Sequence, residues 1–297
     1  MSPLPPPPAA GRWRVAALAE TGTDVLIPPA GPTLLRTPAG RLMQAADAPA
    51  GLADALDAGP DRTPHRAPDP APADDATAYA DRLAGQARAL RAADAETRWP
   101  AARRRVLVLG QGPVADALRP ALVAAGAQLA DDPAALLAAL AAGRVAADQP
   151  APALVVAVAD RPQDRDGWDL LDTAPAHGIA WLRAHREGEV WHVEPLAVTA
   201  EDPTSTQVRR RRHAASPAPD ALAAWQADAP EPGPADAAAA LLTAARILHL
   251  ALAWAREDDL GAARTLLWRH ESTTGRTSEH PVLAYDEPHR PDADGPR

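Results

Sequence analysis

The predicted fold depends most on one stretch of the sequence, Val106-Leu107-Val108-Leu109-Gly110-Gln111-Gly112-Pro113. Its apolar half predicts a short buried strand, and the Gly-x-Gly that follows predicts a tight turn. An Ala-rich stretch continues to Ala125 and predicts a helix, which Gly126 would end. A strand, a glycine turn and a helix in this order open a Rossmann-like α/β domain.

Three residues are candidates for nucleotide binding by such a domain. Gly110 and Gly112 occupy fingerprint positions, and Asp131 follows about 20 residues later, where an acidic residue would bind a ribose hydroxyl. The alternative is that the two glycines only make the turn. Pro113 weakens the nucleotide interpretation, because it removes an N–H group at the helix start that a phosphate would need.

The same alternation of strands and helices continues along the chain and predicts one α/β domain over residues 99–287. The predicted strands cover 127–129, 154–158, 179–182 and 190–193. The predicted helices cover 133–142, 168–176, 206–215, 219–227 and 235–256. A final hairpin is predicted from strands at 264–269 and 281–285.

The N-terminal third of the chain has a different pattern. Residues 1–11 are proline-rich and are expected to be a disordered tail, as are residues 288–297 at the other end. Between 12 and 98, short strands are followed by helices at 49–56 and 76–92, with a Pro- and Asp-rich loop over 61–75. This order predicts a small α+β module that resembles a winged helix in size.

The composition excludes several classes of function. The net charge of −9 argues against nucleic acid as a partner, because such binding depends on neutralising phosphates. The chain has no cysteine, and every one of its Lys+Arg residues is arginine, which excludes thiolate metal sites and lysine catalysis. No run of about 20 apolar residues is evident, so no membrane span is expected. We therefore expect a cytoplasmic protein.

Some polar clusters have both a functional and an ordinary interpretation. His270, His280 and His289 lack metal-ligand spacing, so no metal site is predicted. The acidic residues from Asp160 to Asp169 follow a strand and are interpreted as a solvated loop. The basic run Arg209, Arg210, Arg211 and Arg212 is either a solvated helix face or a docking surface for an acidic or phosphorylated partner.

Three longer stretches carry a resemblance to a known family. They are VLVLGQGPVADALRPALVAAGA (106–127), GIAWLRAHREGEVWHVEPLAVTAEDPTSTQVRRRRHAASPAPDALAAW (178–225) and LLWRHESTTGRTSEHPVLAYDEPHRPDADG (266–295). They resemble ThiF-like, ubiquitin-activating-enzyme-like proteins that act with YcaO cyclodehydratases in making azole-containing peptides from ribosomal precursors. The resemblance implies a ThiF-type Rossmann domain after the N-terminal module, and it leaves a homodimer open.

In that family an N-terminal winged-helix element commonly binds the leader of the precursor peptide. The resemblance therefore implies that residues 12–98 bind a leader, which would add a strand to a sheet edge. Val25, Leu26, Ile27, Leu34 and Leu35 are the candidate residues for this strand region. Arg209 to Arg212 are the candidates for docking the YcaO-type subunit.

The chain also departs from the family. Active relatives adenylate a carboxylate with an arginine and a lysine near the phosphates and an aspartate on magnesium, but this chain has no lysine. The zinc cysteines expected after His280-Pro281 are missing as well. We therefore predict a non-catalytic partner with a vestigial nucleotide pocket, no cofactor and no metal. The alternative is a nucleotide-dependent enzyme, either an adenylyltransferase or a nicotinamide-dependent oxidoreductase.

Overall fold

The computed structural model describes residues 12–18, 21–38, 40–49, 51–57, 72–143, 145 and 151–285. By internal contacts the chain divides into two compact units, residues 1–95 and 96–297. The two predicted tails and most of the predicted loop at 61–75 lie outside the described residues.

The first unit is a four-stranded antiparallel meander followed by helices. Its strands lie side by side in chain order, so the outer two form the edges of the sheet. The core is made by Leu18 and Val25 from the sheet together with Leu52 and Leu83 from the helices. The winged-helix assignment of this unit remains a prediction. The elements are β1 (Arg14–Leu18), β2 (Thr23–Ile27), β3 (Leu34–Arg36), β4 (Leu42–Gln44), α1 (Leu52–Asp57) and α2 (Pro72–Arg98), the last of which continues past the unit boundary.

The second unit contains a seven-stranded mixed sheet, and the predicted α/β class is confirmed. Its elements are β5 (Arg105–Leu109), α3 (Pro113–Ala125), β6 (Gln128–Ala130), α4 (Pro133–Ala141), β7 (Leu154–Ala159), α5 (Trp168–Leu171), β8 (Ala180–Glu187), β9 (Val190–Val193), α6 (Ser205–Ala215), α7 (Pro219–Ala227), α8 (Ala237–Ala255), α9 (Gly261–Thr265), β10 (Leu266–Glu271) and β11 (Arg276–Pro281). The strand order is β11-β10-β9-β8-β7-β5-β6. The strands from β6 to β8 are parallel, and those from β8 to β11 are antiparallel.

The parallel half of the sheet is covered on both faces, as its sequence requires. All residues of β7, a continuous apolar run, are buried, which is typical of a parallel strand with helices on either side. One face packs in a core with α3 and α8, and the opposite face packs in a second core with α4 and α5. These layers fix the carboxyl ends of β5 and β7 next to each other.

Helix α8 is long and apolar enough to cross a membrane by length and composition alone. In the structure its buried side chains, among them Ile247, Leu250 and Trp254, belong to the core that it shares with α3. Packing against the sheet and α3 thus accounts for the buried side of α8, whereas Leu241 and Leu242 are exposed.

Three predicted strands differ from the structure by two or more residues. The strand predicted over 264–269 lies at Leu266–Glu271, because Gly261–Thr265 forms α9. The last strand was expected over 281–285, but it forms at Arg276–Pro281, because the turn after Glu271 is tight and Glu271 pairs directly with Arg276. The strand expected over 179–182 continues to Glu187. The second half of β8 is polar, so the sequence does not predict that this interior strand continues through it.

Candidate functional site

The strand order indicates a candidate ligand site in the crevice beyond the carboxyl ends of β5 and β7. The chain moves from β5 to β6 on one side and then returns to β7 on the other, and such a reversal is where open α/β sheets bind ligands. A cavity of about 710 Å³ lies here, which we call the switch-point cavity. Its lining includes Gly110, Gly112, Asp160, Arg161 and Arg186.

Both glycines of the turn have a positive φ, a backbone conformation that favours glycine. Gly110 has φ +93°, and a Cβ atom there would lie 1.9 Å from the carbonyl oxygen of Val158. Gly112 has φ +92°, and a Cβ atom there would lie 2.3 Å from Oδ2 of Asp160. The close approach of β5 to β7 therefore explains Gly110 without a nucleotide, whereas Gly112 is favoured by its positive φ.

Acidic side chains dominate the switch-point cavity. Burial raises the pKa of Asp160; Arg186 lowers it, and the carboxylates of Asp164 and Asp116 raise it further. Its Oδ1 atom is buried and has no hydrogen-bond partner among the described residues. A phosphate placed against this carboxylate without a bridging cation would be repelled.

The two arginines that line the switch-point cavity already have carboxylate or carbonyl partners. Arg161 pairs with Asp164 at 3.1 Å and with Glu231. Arg186 donates hydrogen bonds to the carbonyl oxygens of Gly188 at 2.7 Å and Gly233 at 2.8 Å.

The third predicted nucleotide-binding residue, Asp131, is exposed. It directly follows β6 but is not among the described residues that line the switch-point cavity. The structure thus brings Gly110 and Gly112 together with Asp160, which sequence analysis had interpreted as part of a solvated loop.

The basic run on α6 does not form one face. Successive residues of a helix are about 100° apart, so the four arginines point in different directions. Arg209, Arg210 and Arg211 are exposed, whereas Arg212 is partly buried and contacts β8 and β9.

The residues that Arg212 contacts belong to a buried polar cluster that sequence analysis missed. Alternate residues of β8 and β9 project from one face of the hairpin, and His185 lies opposite His192. We define the hairpin cluster as these buried or partly buried side chains: Arg183, His185, Glu187, His192 and Glu194. The available signal was the period-two pattern of charged residues on both sides of the turn at Gly188-Glu189.

Ion pairs and stacking hold the hairpin cluster together. Arg183 donates to Glu194 at 2.7 Å, and both side chains are almost fully buried. The imidazole rings of His185 and His192 stack with centroids 4.9 Å apart. Glu187 accepts from Nη2 of Arg212 at 2.5 Å and from Nε2 of Gln226 at 2.9 Å.

The electrostatics of the cluster keep its carboxylates ionised. Burial raises the pKa of Glu187, but the interaction with the ring of His185, together with the charge of Arg212, outweighs burial and holds that pKa well below its usual range. Burial, with the charges of His185 and Arg212, holds the pKa of His192 well below its usual value. The ring of His192 is therefore neutral at pH 7.

A second large cavity lies beside this cluster. It has a volume of about 690 Å³, and we call it the basic cavity. Its apolar lining includes Val208, Leu267 and Val282, which form a small buried cluster of their own. Its polar lining includes Arg211, Arg212 and Arg269 together with His192 and His280, against the carboxylate of Glu187.

The predicted leader-binding residues lie inside the sheet of the first unit. Val25, Leu26 and Ile27 belong to β2, which pairs with β1 and β3. Leu34 and Leu35 belong to β3, which pairs with β2 and β4. An added strand would therefore pair with β1 or β4. The predicted residues would not pair with it, because both sides of β2 and β3 are already paired within the sheet. Leu42 and Met43 on β4 are both more than half exposed.

Comparison with known proteins gives distant structural neighbours. No protein-family model and no curated protein matches the sequence. The structure is similar to E. coli MccB with bound succinimide, at 10% identity and a TM-score of 0.46 over 71% of each chain. It is also similar to the microcin C7 biosynthetic enzyme MccB in complex with N-formylated MccA, at 10% identity and a TM-score of 0.44 over 70% of this chain and 72% of that chain.

A third neighbour is the heterocyclase TruD, at 15% identity and a TM-score of 0.44. The match covers 91% of this chain but only 42% of TruD. Likenesses at this level establish no shared activity.

Proposed function

We propose that this protein binds the leader of a ribosomally made precursor peptide and presents it to a separate YcaO-type cyclodehydratase, without catalysing the reaction itself. The observation that carries the non-catalytic part of the proposal is the arrangement of charged residues that line the switch-point cavity. The glycine turn is present, but the carboxylate of Asp160 lies against Gly112 and would repel a phosphate that no cation bridges. Arg161 pairs with Asp164, and Arg186 donates to a backbone carbonyl oxygen. The absence of lysine removes the usual phosphate-binding cation.

The first unit supports the peptide-binding half of the proposal. In its sheet β4 is an edge strand, and all of its residues are exposed. An exposed apolar edge offers unpaired backbone groups to an extended peptide, and Leu42 and Met43 offer apolar contact. We propose that the leader adds to β4 as a further strand.

The test is fluorescence polarisation of a labelled leader peptide, encoded near this gene, with the full-length protein. Leu42→Asp and Met43→Asp place charges on the proposed edge and should weaken binding at least about tenfold. Val15→Asp is the matched control, because Val15 is an exposed residue on the opposite edge strand, β1. Circular dichroism checks that each variant folds.

The binding results test the proposed edge strand and the proposed function separately. Binding that Val15→Asp abolishes and the β4 variants leave intact would move the site to β1. A folded wild-type protein that does not bind the leader would contradict the function itself.

The docking half of the proposal rests on α6. Arg209, Arg210 and Arg211 are exposed and basic in a chain of net charge −9, so they would attract an acidic patch on the cyclodehydratase. We expect Arg210→Glu and Arg211→Glu to weaken the complex with that subunit in a pull-down, with leader binding unchanged. An unchanged complex would contradict this docking site.

A second candidate, a nucleotide-dependent enzyme, is favoured by the position of the switch-point cavity at the reversal of strand order. Melting curves with ATP and magnesium, and separately with NAD and NADP, distinguish the two candidates. A ligand at 100 times its Kd stabilises the native state by about 2.7 kcal/mol, so binding would raise Tm by several degrees. A rise in Tm that Gly112→Ala abolishes would favour the enzyme.

A further inference from the structure

The hairpin cluster contains a set of side chains suited to a metal ion. One ligand atom each from His185, Glu187 and His192 lies within 4.8 Å of the others. Two imidazoles and a carboxylate are the ligand types that divalent transition metals prefer. The residues lie on adjacent strands at alternate positions, so the backbone of the hairpin fixes their relative places.

The histidine at the centre of the set faces a carboxylate at each ring nitrogen. His185 has a side chain only 1% exposed, yet neither ring nitrogen has a hydrogen-bond partner among the described residues. Its Nε2 lies 3.6 Å from Glu187, and its Nδ1 lies 3.2 Å from Glu194. A buried ring nitrogen that contacts a carboxylate without a well-formed hydrogen bond is a position that a bound ion can fill.

Neighbouring groups provide the outer contacts of a metal site. Glu194 lies beside Nδ1 of His185, so it can orient the ring and leave Nε2 for a metal. Gln226 donates to Oε1 of Glu187 and holds that carboxylate in place. Such a carboxylate–histidine pair is a common support for a bound zinc ion.

Arg212 marks the place that a cation would take. Its guanidinium donates to Glu187 and to a ring nitrogen of His192, so positive charge already sits between two of the three ligands. Arg212 is partly exposed and lines the basic cavity, which gives its side chain room to move away. Arg165, 3.6 Å from Glu187, is a second cation that a metal would face.

We propose that His185, Glu187 and His192 bind a divalent transition ion of the zinc type, and that Arg212 competes with the ion for the same place. This inference is independent of the peptide-binding role. The ion enters from the basic cavity, which His192 and Glu187 line. Ligand atoms up to 4.8 Å apart must close around it when Arg212 leaves.

The test measures Zn²⁺ binding to the full-length protein by calorimetry and Co²⁺ binding by its visible absorption spectrum. Arg212→Gln removes the competing charge and keeps a hydrogen-bond donor, so we expect Zn²⁺ affinity to rise about tenfold or more. In that background, Glu187→Gln and His192→Gln should lower affinity about 10- to 100-fold. His280→Ala is the control, because His280 lines the same cavity but is not one of the three proposed ligands. This variant should leave the Zn²⁺ affinity unchanged.

Each outcome decides the proposal. Tighter Zn²⁺ binding in Arg212→Gln that is lost with Glu187→Gln supports it. Failure of Arg212→Gln to bind Zn²⁺ while folded, shown by circular dichroism, overturns it. Zn²⁺ binding that the Glu187 and His192 variants retain also overturns it, because the ion would then sit elsewhere on the chain.

Discussion

The two large cavities of the second unit are almost equal in volume but opposite in charge. The switch-point cavity, about 710 Å³, is lined by Asp160, Asp164 and Glu231 against two arginines. The basic cavity, about 690 Å³, has three arginines against the single carboxylate of Glu187 within its described lining. The reversal of strand order lies at the first cavity, whereas the larger excess of arginine lies at the second. Fold position and site chemistry are thus separate in this protein.

The largest expected effect tests whether sterics alone fix the glycine turn. Gly110→Ala would drive a Cβ atom into the carbonyl oxygen of Val158, with no flexible side chain to give way. We expect the free energy of unfolding to fall by at least about 3 kcal/mol. Urea denaturation measures this change.

Gly178→Ala is the matched control for that prediction. Gly178 also has a positive φ, +74°, but nothing lies within 4 Å of its added Cβ atom among the described residues. Its cost should be about 1 kcal/mol, the cost of the left-handed conformation alone. Equal costs at the two positions would contradict the steric explanation of the turn.

The next effect tests the basic cavity. Arg212→Gln leaves the mostly buried carboxylate of Glu187 with weaker partners, since the side chain of Glu187 is only 7% exposed. We expect a loss of about 2 kcal/mol in the free energy of unfolding, measured by denaturation without metal. A neutral result would mean that Gln226 and Arg165 compensate fully.

A smaller effect is the pH dependence of stability that Asp160 in the switch-point cavity causes. The pKa of Asp160 is raised, so the folded protein binds a proton more readily than the unfolded chain. Its contribution to stability is therefore lost as pH rises from the usual aspartate pKa through the raised value. Asp160→Asn should be more stable than wild type at neutral pH and similar in acid. Unfolding curves at several pH values check this, and a destabilised variant at pH 7 would contradict it.

The smallest effect is expected at the exposed rim of the basic cavity. Arg211 is exposed and precedes Arg212 on the same helix. Arg211→Gln should change the free energy of unfolding by no more than about 0.5 kcal/mol in the same assay. A loss as large as that of Arg212→Gln would show that exposure does not separate the two positions.

Much of the second unit could be predicted because its local patterns are strong. The apolar run of β7 and the glycine turn after β5 each identify an element without neighbours. Asp132 and Pro133 start α4 as the sequence indicates, with Asp132 accepting from the backbone of Ala135. The polar half of β8 was not recognised, because a buried strand is expected to be apolar.

The candidate sites were harder to predict, because they depend on partners far apart in the chain. Arg212 on α6 reaches Glu187 on β8, so a residue predicted on a docking surface is partly buried. The sequence predicts Asp160 in a solvated loop, but its position directly after β7 places its carboxylate beside Gly112. The strand pairing of the first unit likewise left the predicted leader-binding residues on interior strands.

The sequence by itself determined the α/β class of the second unit, the glycine turn and the lack of lysine and cysteine chemistry. These follow from residue type and short-range spacing. Only the tertiary structure decided which charges meet, since pairing His185 with His192 and covering them with α6 depend on strand register and helix packing. Charge interactions act through space, so sequence separation does not reveal them.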